Sequence, residues 1–246
     1  MQRRICRVLL PAAAAISLTV AGCAGPAAAT AGQPGITARY STSSAGYATG
    51  GPWRFRFVAA SLAVPACPAD PAGNALASVV LTGGRYLAAI SVACGGGASS
   101  AGYLDHHFGS GAFRISPRVG DVLHLSVYRD RAARRDYFTL TDAATGRSQT
   151  VAVATPRVVV YRHAELAVSL GAPGVASPTA DQRLWSFAGS LVTSYDGTRA
   201  GLRGPWPARM LVATVTGTVA GAVVMSPSEL WGRQQFGVWL RHRPAS

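Results

Sequence analysis

The sequence contains no lysine: all 23 basic side chains are arginine. That background weakens any argument that arginine was selected at a given position for bidentate recognition. Glutamate is nearly absent as well, with Glu165 and Glu229 the only two, so chemistry that needs a glutamate carboxylate has few places to reside. Four cysteines exclude a disulfide-dense scaffold, and no further thiols or histidines stand at ligand spacing for a structural metal. No segment beyond the amino terminus carries the pattern of a long amphipathic helix, and the apolar run from Val8 to Val20 is too short to span a bilayer. The formal charge of +13 raises the question of nucleic acid. The arginines are scattered, however, with no helix-turn-helix, zinc-finger or RNP-like pattern to organise them, so no nucleic-acid partner is expected and an anionic envelope is the better counter-charge.

What is present begins with an address. Arg3, Arg4 and Arg7 precede the apolar run, as in an export signal, and Leu18 to Cys23 looks like a bacterial lipobox. The expectation is a signal peptide over 1–22 and a lipid anchor on Cys23, giving an extracytoplasmic membrane lipoprotein. Ordinary cleavage among Ala27, Ala28, Ala29 and Ala31, releasing a soluble secreted protein, is the alternative. Residues 23–39, rich in Ala, Gly, Pro and Thr, read as a flexible tether, and 40–246 as one folded domain. With Cys6 in the signal and Cys23 acylated, Cys67 and Cys94 remain to pair as a disulfide, worth about 3.5 kcal/mol in the chain-entropy model.

In the folded part, Val, Thr, Tyr and Trp recur between Gly, Pro, Asp and Ser clusters, which predicts many short strands joined by turns. Trp53 to Val58 reads as a strand, followed by a bend and a second strand over Ser61 to Val64. Ala75 to Leu81 and Tyr86 to Val92 form a hairpin around Thr82-Gly83-Gly84, and Cys94 to Gly102 reads as flexible. Asp121 to Tyr128 alternates with Leu123, Leu125 and Val127 inward, and a hairpin flanks Asp142 to Gly146. Later strands are expected at Trp185 to Thr193, Met210 to Thr216, Val219 to Met225 and Gln235 to Arg241, after a loop from Gly171 to Asp181. Tyr161 to Leu170 also alternates: Ala164, Leu166, Val168 and Leu170 face one way, and His163, Glu165, Ala167 and Ser169 the other. Two positions along a strand set His163 and Glu165 about 7 Å apart on one face. That pair is either a solvated decoration or part of a site.

The order of these segments resembles that of the eqolisins, the glutamic endopeptidases, as found in secreted bacterial homologues. The resemblance is carried by Ser44-Ala45-Gly46-Tyr47, Phe57 to Cys67, Arg118 to Asp121, the Leu140 to Gly146 hairpin, His163-Ala164-Glu165, Met225 to Leu230 and Phe236 to Trp239. It implies a lectin-like (concanavalin A-like) all-β sandwich of two antiparallel sheets with a substrate groove on the concave face. In that family a glutamate acts as general base and a glutamine on a neighbouring strand holds the water and stabilises the oxyanion. Glu165 falls at the glutamate. The glutamine position falls at or next to Ser91, and no glutamine lies nearby. A hydroxyl is short and supplies one donor, and losing an oxyanion donor typically costs about 100- to 1000-fold.

The expectation is therefore a catalytically degenerate homologue that binds a peptide, a protein or an envelope polymer in the groove, with Asp105, His106, His107 and His163 as further groove candidates. An active endopeptidase in which His106 or His107 replaces the glutamine is the first alternative. A carbohydrate-binding module using Trp185, Trp206, Trp231 or Trp239 is the second. No cofactor or metal is expected: adjacent His106 and His107 diverge if extended, and His124, His163 and His242 are remote in sequence. The run Arg129 to Arg135 reads as a solvated turn, with envelope or phospholipid contact as the other reading.

Overall fold

The computed structural model describes residues 36–67, 75–170, 182–215, 217–218, 222–232 and 234–240, all as strands, turns and bends. Sixteen strands are hydrogen-bonded into one sheet, and the fourteen on its continuous path double over into a two-layer sandwich. The first layer runs in the order β7 (Gly109–Ala112), β6 (Ala98–Asp105), β5 (Tyr86–Gly95), β4 (Ala75–Gly83), β11 (His163–Leu170), β2 (Ser44–Thr49) and β14 (Ala208–Thr214). The second runs β10 (Ser148–Ala154), β9 (Arg135–Asp142), β8 (Val122–Asp130), β3 (Phe55–Ala63), β12 (Gln182–Ser194) and β16 (Phe236–Leu240). Strand β15 (Val223–Pro227) joins β14 to β16, so the two expected sheets are one continuous antiparallel ladder at that edge. The short β13 (Arg199–Ala200) pairs with β12.

Several expectations are corrected. Ile36 to Arg39 do not belong to a tether: with Tyr40 and Ser41 they form β1 (Ile36–Ser41), which pairs in parallel with β14. The missed signal is that Ile36 and Tyr40 alternate with Thr37, Arg39 and Ser41, and the two apolar residues pack on the core. The stretch read as strand, bend and strand is the single β3. Cys94 to Gly102 is not flexible but a tight hairpin, with Gly96 and Gly97 taking positive φ between β5 and β6. The strand at Tyr161 begins only at His163; Tyr161 instead makes an isolated bridge to Phe55. The signal segment, Cys23, the Gly171 to Asp181 loop and His242 lie outside the described residues.

Alternation builds the core. Ala77, Val79 and Leu81 of β4, Ala88 and Ile90 of β5, and Ala164, Leu166 and Val168 of β11 face Phe55, Val58, Leu123, Leu125, Phe138 and Leu140 of the second layer. Trp185 and Trp206 belong to this core, and the Trp206 indole N–H is satisfied by the Leu202 carbonyl at 3.1 Å. The Cys67–Cys94 disulfide forms as expected and ties the end of the β3 segment to β5.

One polar cluster interrupts the apolar interior. Arg129 pairs with Asp136 at 3.2 Å and donates to the Pro156 carbonyl, the Tyr161 hydroxyl donates to Asp136, and Asp105 lies against the same carboxylate. Two carboxyls and one guanidinium cannot all be charged here without a net charge in the core. Desolvation, then the Asp136 charge, push Asp105 up to about 7, so Asp105 holds the proton and the cluster is neutral below that pH. The folded state thus keeps a proton that the unfolded chain, with an ordinary value of 3.8, has lost. Its stabilising contribution is complete at acid pH and is lost as pH rises through the folded value. Denaturant unfolding at several pH values should show wild-type stability falling between about 4 and 7, and Asp105→Asn should flatten that slope. A slope that rises, or that survives unchanged in the variant, contradicts the assignment.

Candidate functional site

The outward face of the first layer is set by β11. Because its even-numbered residues enter the core, His163, Glu165, Ala167 and Ser169 look out of the sandwich. Strand register then fixes what stands beside each. Glu165 is opposite Ala48 on one side and Val80 on the other, and its row continues through Ala89 to Leu104 in one direction and to Arg209 in the other. The next row holds Arg39, Leu211, Gly46, Ala167, Ser78, Ser91 and Gly102. Ala48, Ala167 and Leu211 form a small buried cluster separate from the main core, which marks this face as a second packed surface. Gly46 lets β2 approach closely, since a Cβ there would run into the Leu166 backbone.

This register answers where the expected residues sit. Ser91 does share the face of Glu165, two strands away and one row along, and its hydroxyl is tied to Ser78 Oγ at 2.7 Å. Ala89 is the β5 residue in the row of Glu165 itself. Across two strands, about 10 Å, only a long side chain reaches a water shared with Glu165. Neither alanine nor serine does. No asparagine or glutamine occurs anywhere in β2, β4, β5, β6, β11 or β14.

The other candidates disperse. Asp105 is a correction: it pairs with Ala88, faces the core with it, and is only 3% exposed, so it belongs to the Arg129 cluster and not to the groove. The alternation of β6 carries the reason, because Leu104 takes the outward position. His106 and His107 follow in an exposed turn. The His107 ring donates to the Arg85 carbonyl at 3.0 Å, and the His106 backbone bonds to Leu87 on β5. They stand three strands from β11, about 14 Å or more from Glu165, which is too far for either to replace the glutamine. His163 is on the right face, but its Nδ1–H donates to the Thr49 carbonyl at 3.0 Å and no hydrogen bond joins it to Glu165. Of the four tryptophans offered for sugar stacking, Trp185 and Trp206 are core residues, Trp239 is half-buried and Trp231 is exposed.

Electrostatically, Glu165 is half-buried among small apolar neighbours. Loss of solvent raises its carboxyl above the usual range, and the Arg39 guanidinium acts against that rise. The face is thus lopsided: Arg39 and Arg209 lie on one flank of Glu165, and Val80, Ala89 and the exposed Leu104 on the other. Further along the same face, an apolar hollow of about 430 Å³ is lined in part by Leu76, Ala93 and Ser100. No group of three or more metal-ligating side chains occurs among the described residues.

The sequence matches no protein-family model and no curated protein. Solved structures do match the fold. Scytalido-glutamic peptidase, determined with a transition-state analog inhibitor, has a TM-score of 0.63 at 18% identity over 81% of this chain and 98% of that one. SCP-B, an eqolisin bound to the tripeptide Ala-Ile-His, has a TM-score of 0.58 at 17% identity, covering 83% of this chain and all of its own. Aspergilloglutamic peptidase from Aspergillus niger scores 0.51 at 18% identity, over 68% of this chain and 98% of that one. The chain therefore has the sandwich fold of the glutamic peptidases.

The influence of Arg39 on Glu165 is measurable. Replacing Arg39 with alanine removes the charge that lowers the carboxyl, so the Glu165 midpoint, followed by carboxyl-carbon NMR, should move up. A midpoint that stays put or falls rules out their coupling across the face.

Proposed function

We propose that the outward face of the first layer binds an extended peptide or protein segment without hydrolysing it, as a degenerate relative of the glutamic peptidases. One observation carries the reading: Glu165 stands with Ala48, Val80 and Ala89 around it and has no amide within reach among the described residues. A general base alone can deprotonate a water, but no side-chain amide then holds that water and the oxyanion together. What remains is a surface suited to recognition. A strand-like ligand can seat apolar side chains over Val80, Leu104 and the hollow at Leu76, and turn acidic groups toward Arg39 and Arg209. The raised carboxyl of Glu165 helps in acid, where it is protonated and can donate to a ligand carbonyl. That two fold neighbours were determined with a peptide or a peptide-based analog on them supports the choice of ligand class.

The test is equilibrium binding of a peptide pool enriched in acidic and aliphatic residues, with backbone NMR to locate the contact. Shift changes should cluster on β2, β4, β5 and β11. Glu165→Ala should keep affinity within a few-fold, because the carboxyl is one contact among several. Leu76→Arg, at a position 38% exposed, should weaken binding by about 10-fold or more. Shift changes confined to other surfaces, or complete loss of binding in Glu165→Ala, would refute the proposal.

A further inference from the structure

At one end of the second layer, on strands that do not form the Glu165 face, four arginines from three parts of the chain line a single cavity of about 550 Å³: Arg56, Arg129, Arg131 and Arg157. Each arrives by its own local route. Arg56 is the extra residue at a β-bulge, where β3 shifts register against β12 between Thr193 and Ser194; Phe55 and Val58 both stay in the core and Arg56 is turned aside. Arg131 opens the turn between β8 and β9, which Asp130 braces by accepting the Ala133 N–H at 2.9 Å. Arg157 follows Pro156 in the bend after β10. Arg129 enters from beneath as part of the buried cluster.

The charges in this cavity are not balanced from within it. Asp130 is its single acid, and Arg129 is already neutralised by Asp136 behind it. Arg56, Arg131 and Arg157 form no salt bridge among the described residues. Like charges gathered without counter-ions repel, and nothing in the packing of three half-buried or exposed side chains requires that they converge.

A second feature of the site is independent of the surface charge. Arg129 is 1% exposed; its two terminal nitrogens serve Asp136 and Pro156, and its side chain also meets the Tyr195 hydroxyl. Tyr195 also lines the cavity, and the Arg131 guanidinium lies 5.5 Å from its ring centre. Burial pushes the Tyr195 phenol up to about 12, so it remains a donor at all ordinary pH. Both side chains belong to the wall of a cationic cavity.

We infer that this cavity is a binding site for a phosphate group, in which Arg56, Arg131 and Arg157 contact the oxygens from three sides above a base formed by Arg129 and Tyr195. The convergence from three segments favours a tetrahedral anion with several equivalent oxygens over a planar carboxylate, which presents two. The arginine side-chain type carries no weight in this choice, because the chain has no lysine to offer instead. The run read from sequence as a solvated turn contributes Arg129, Asp130, Arg131 and Ala132; Arg56, Arg157 and Tyr195 come from elsewhere, so the site could not be seen along the chain.

The same group occurs in free phosphate esters and in anionic lipid headgroups, and the experiment separates them. Inorganic phosphate is titrated into the purified protein by calorimetry at low and physiological salt, and vesicles of phosphatidylglycerol or of phosphatidylcholine alone are tested by co-sedimentation. Arg56→Ala and Arg157→Ala should each weaken binding by about 10-fold or more, while Arg147→Ala, which removes the same charge from a distant exposed turn, should leave it within two-fold. Saturable phosphate binding with that pattern supports a site for soluble phosphate esters. Phosphatidylglycerol binding with that pattern supports a lipid headgroup. Failure of both probes to bind, or equal weakening in Arg147→Ala, overturns the inference. Far-UV circular dichroism of each variant confirms that loss of binding is not loss of fold.

Discussion

The period-two alternation of β11 is the constraint on which the rest of the structure depends. The strand lies between β2 and β4 in the middle of the first layer, and Ala164, Leu166 and Val168 enter the core completely. A slip of one residue would bury Glu165 and expose those three side chains, so the register is held by burial energy and not by anything at the site. The register in turn names the neighbours of Glu165 on every strand across the layer. Small side chains at Ala48, Val80 and Ala89 follow from it, and with them the isolation of the carboxylate. The close backbone approach that Gly46 permits keeps β2 in this arrangement.

Charge is managed differently in the two layers. In the core, Asp105 and Asp136 share one arginine, and the surplus is removed by holding a proton, which ties the stability of the fold to acid pH. On the outward face the single carboxylate is screened by arginine on one flank only. At the far end of the second layer the excess is positive and is left open to an anion. The convergence of three unpaired arginines on one cavity is a property of the fold, not of composition.

Much of this was legible in the sequence. Alternation identified β8 and its inward Leu123, Leu125 and Val127, and it placed Glu165 and His163 on one face, because both sides of those strands differ sharply in polarity. The order of weak motifs was enough to suggest the fold that the solved structures match. What failed did so for physical reasons. Asp105 is adjacent to His106 and His107 in the chain, yet a strand turns neighbours to opposite faces, and only the pairing with Ala88 shows which one Asp105 takes. Arg39 was hidden in a stretch whose composition looks uncommitted, since a parallel edge strand gains its pairing from β14, about 170 residues away. The position opposite Glu165 on β5 depends on the register of two ladders, which no single stretch encodes.

The central claim, that Glu165 lacks the partner needed for hydrolysis, is tested most directly by digestion of a denatured protein substrate from acid to neutral pH by the wild type and by Glu165→Gln, each shown to be folded. The account predicts no cleavage above background from either protein at any pH. Cleavage by the wild type that disappears in Glu165→Gln would contradict it and would mean that a group not identified on this face completes the catalytic pair.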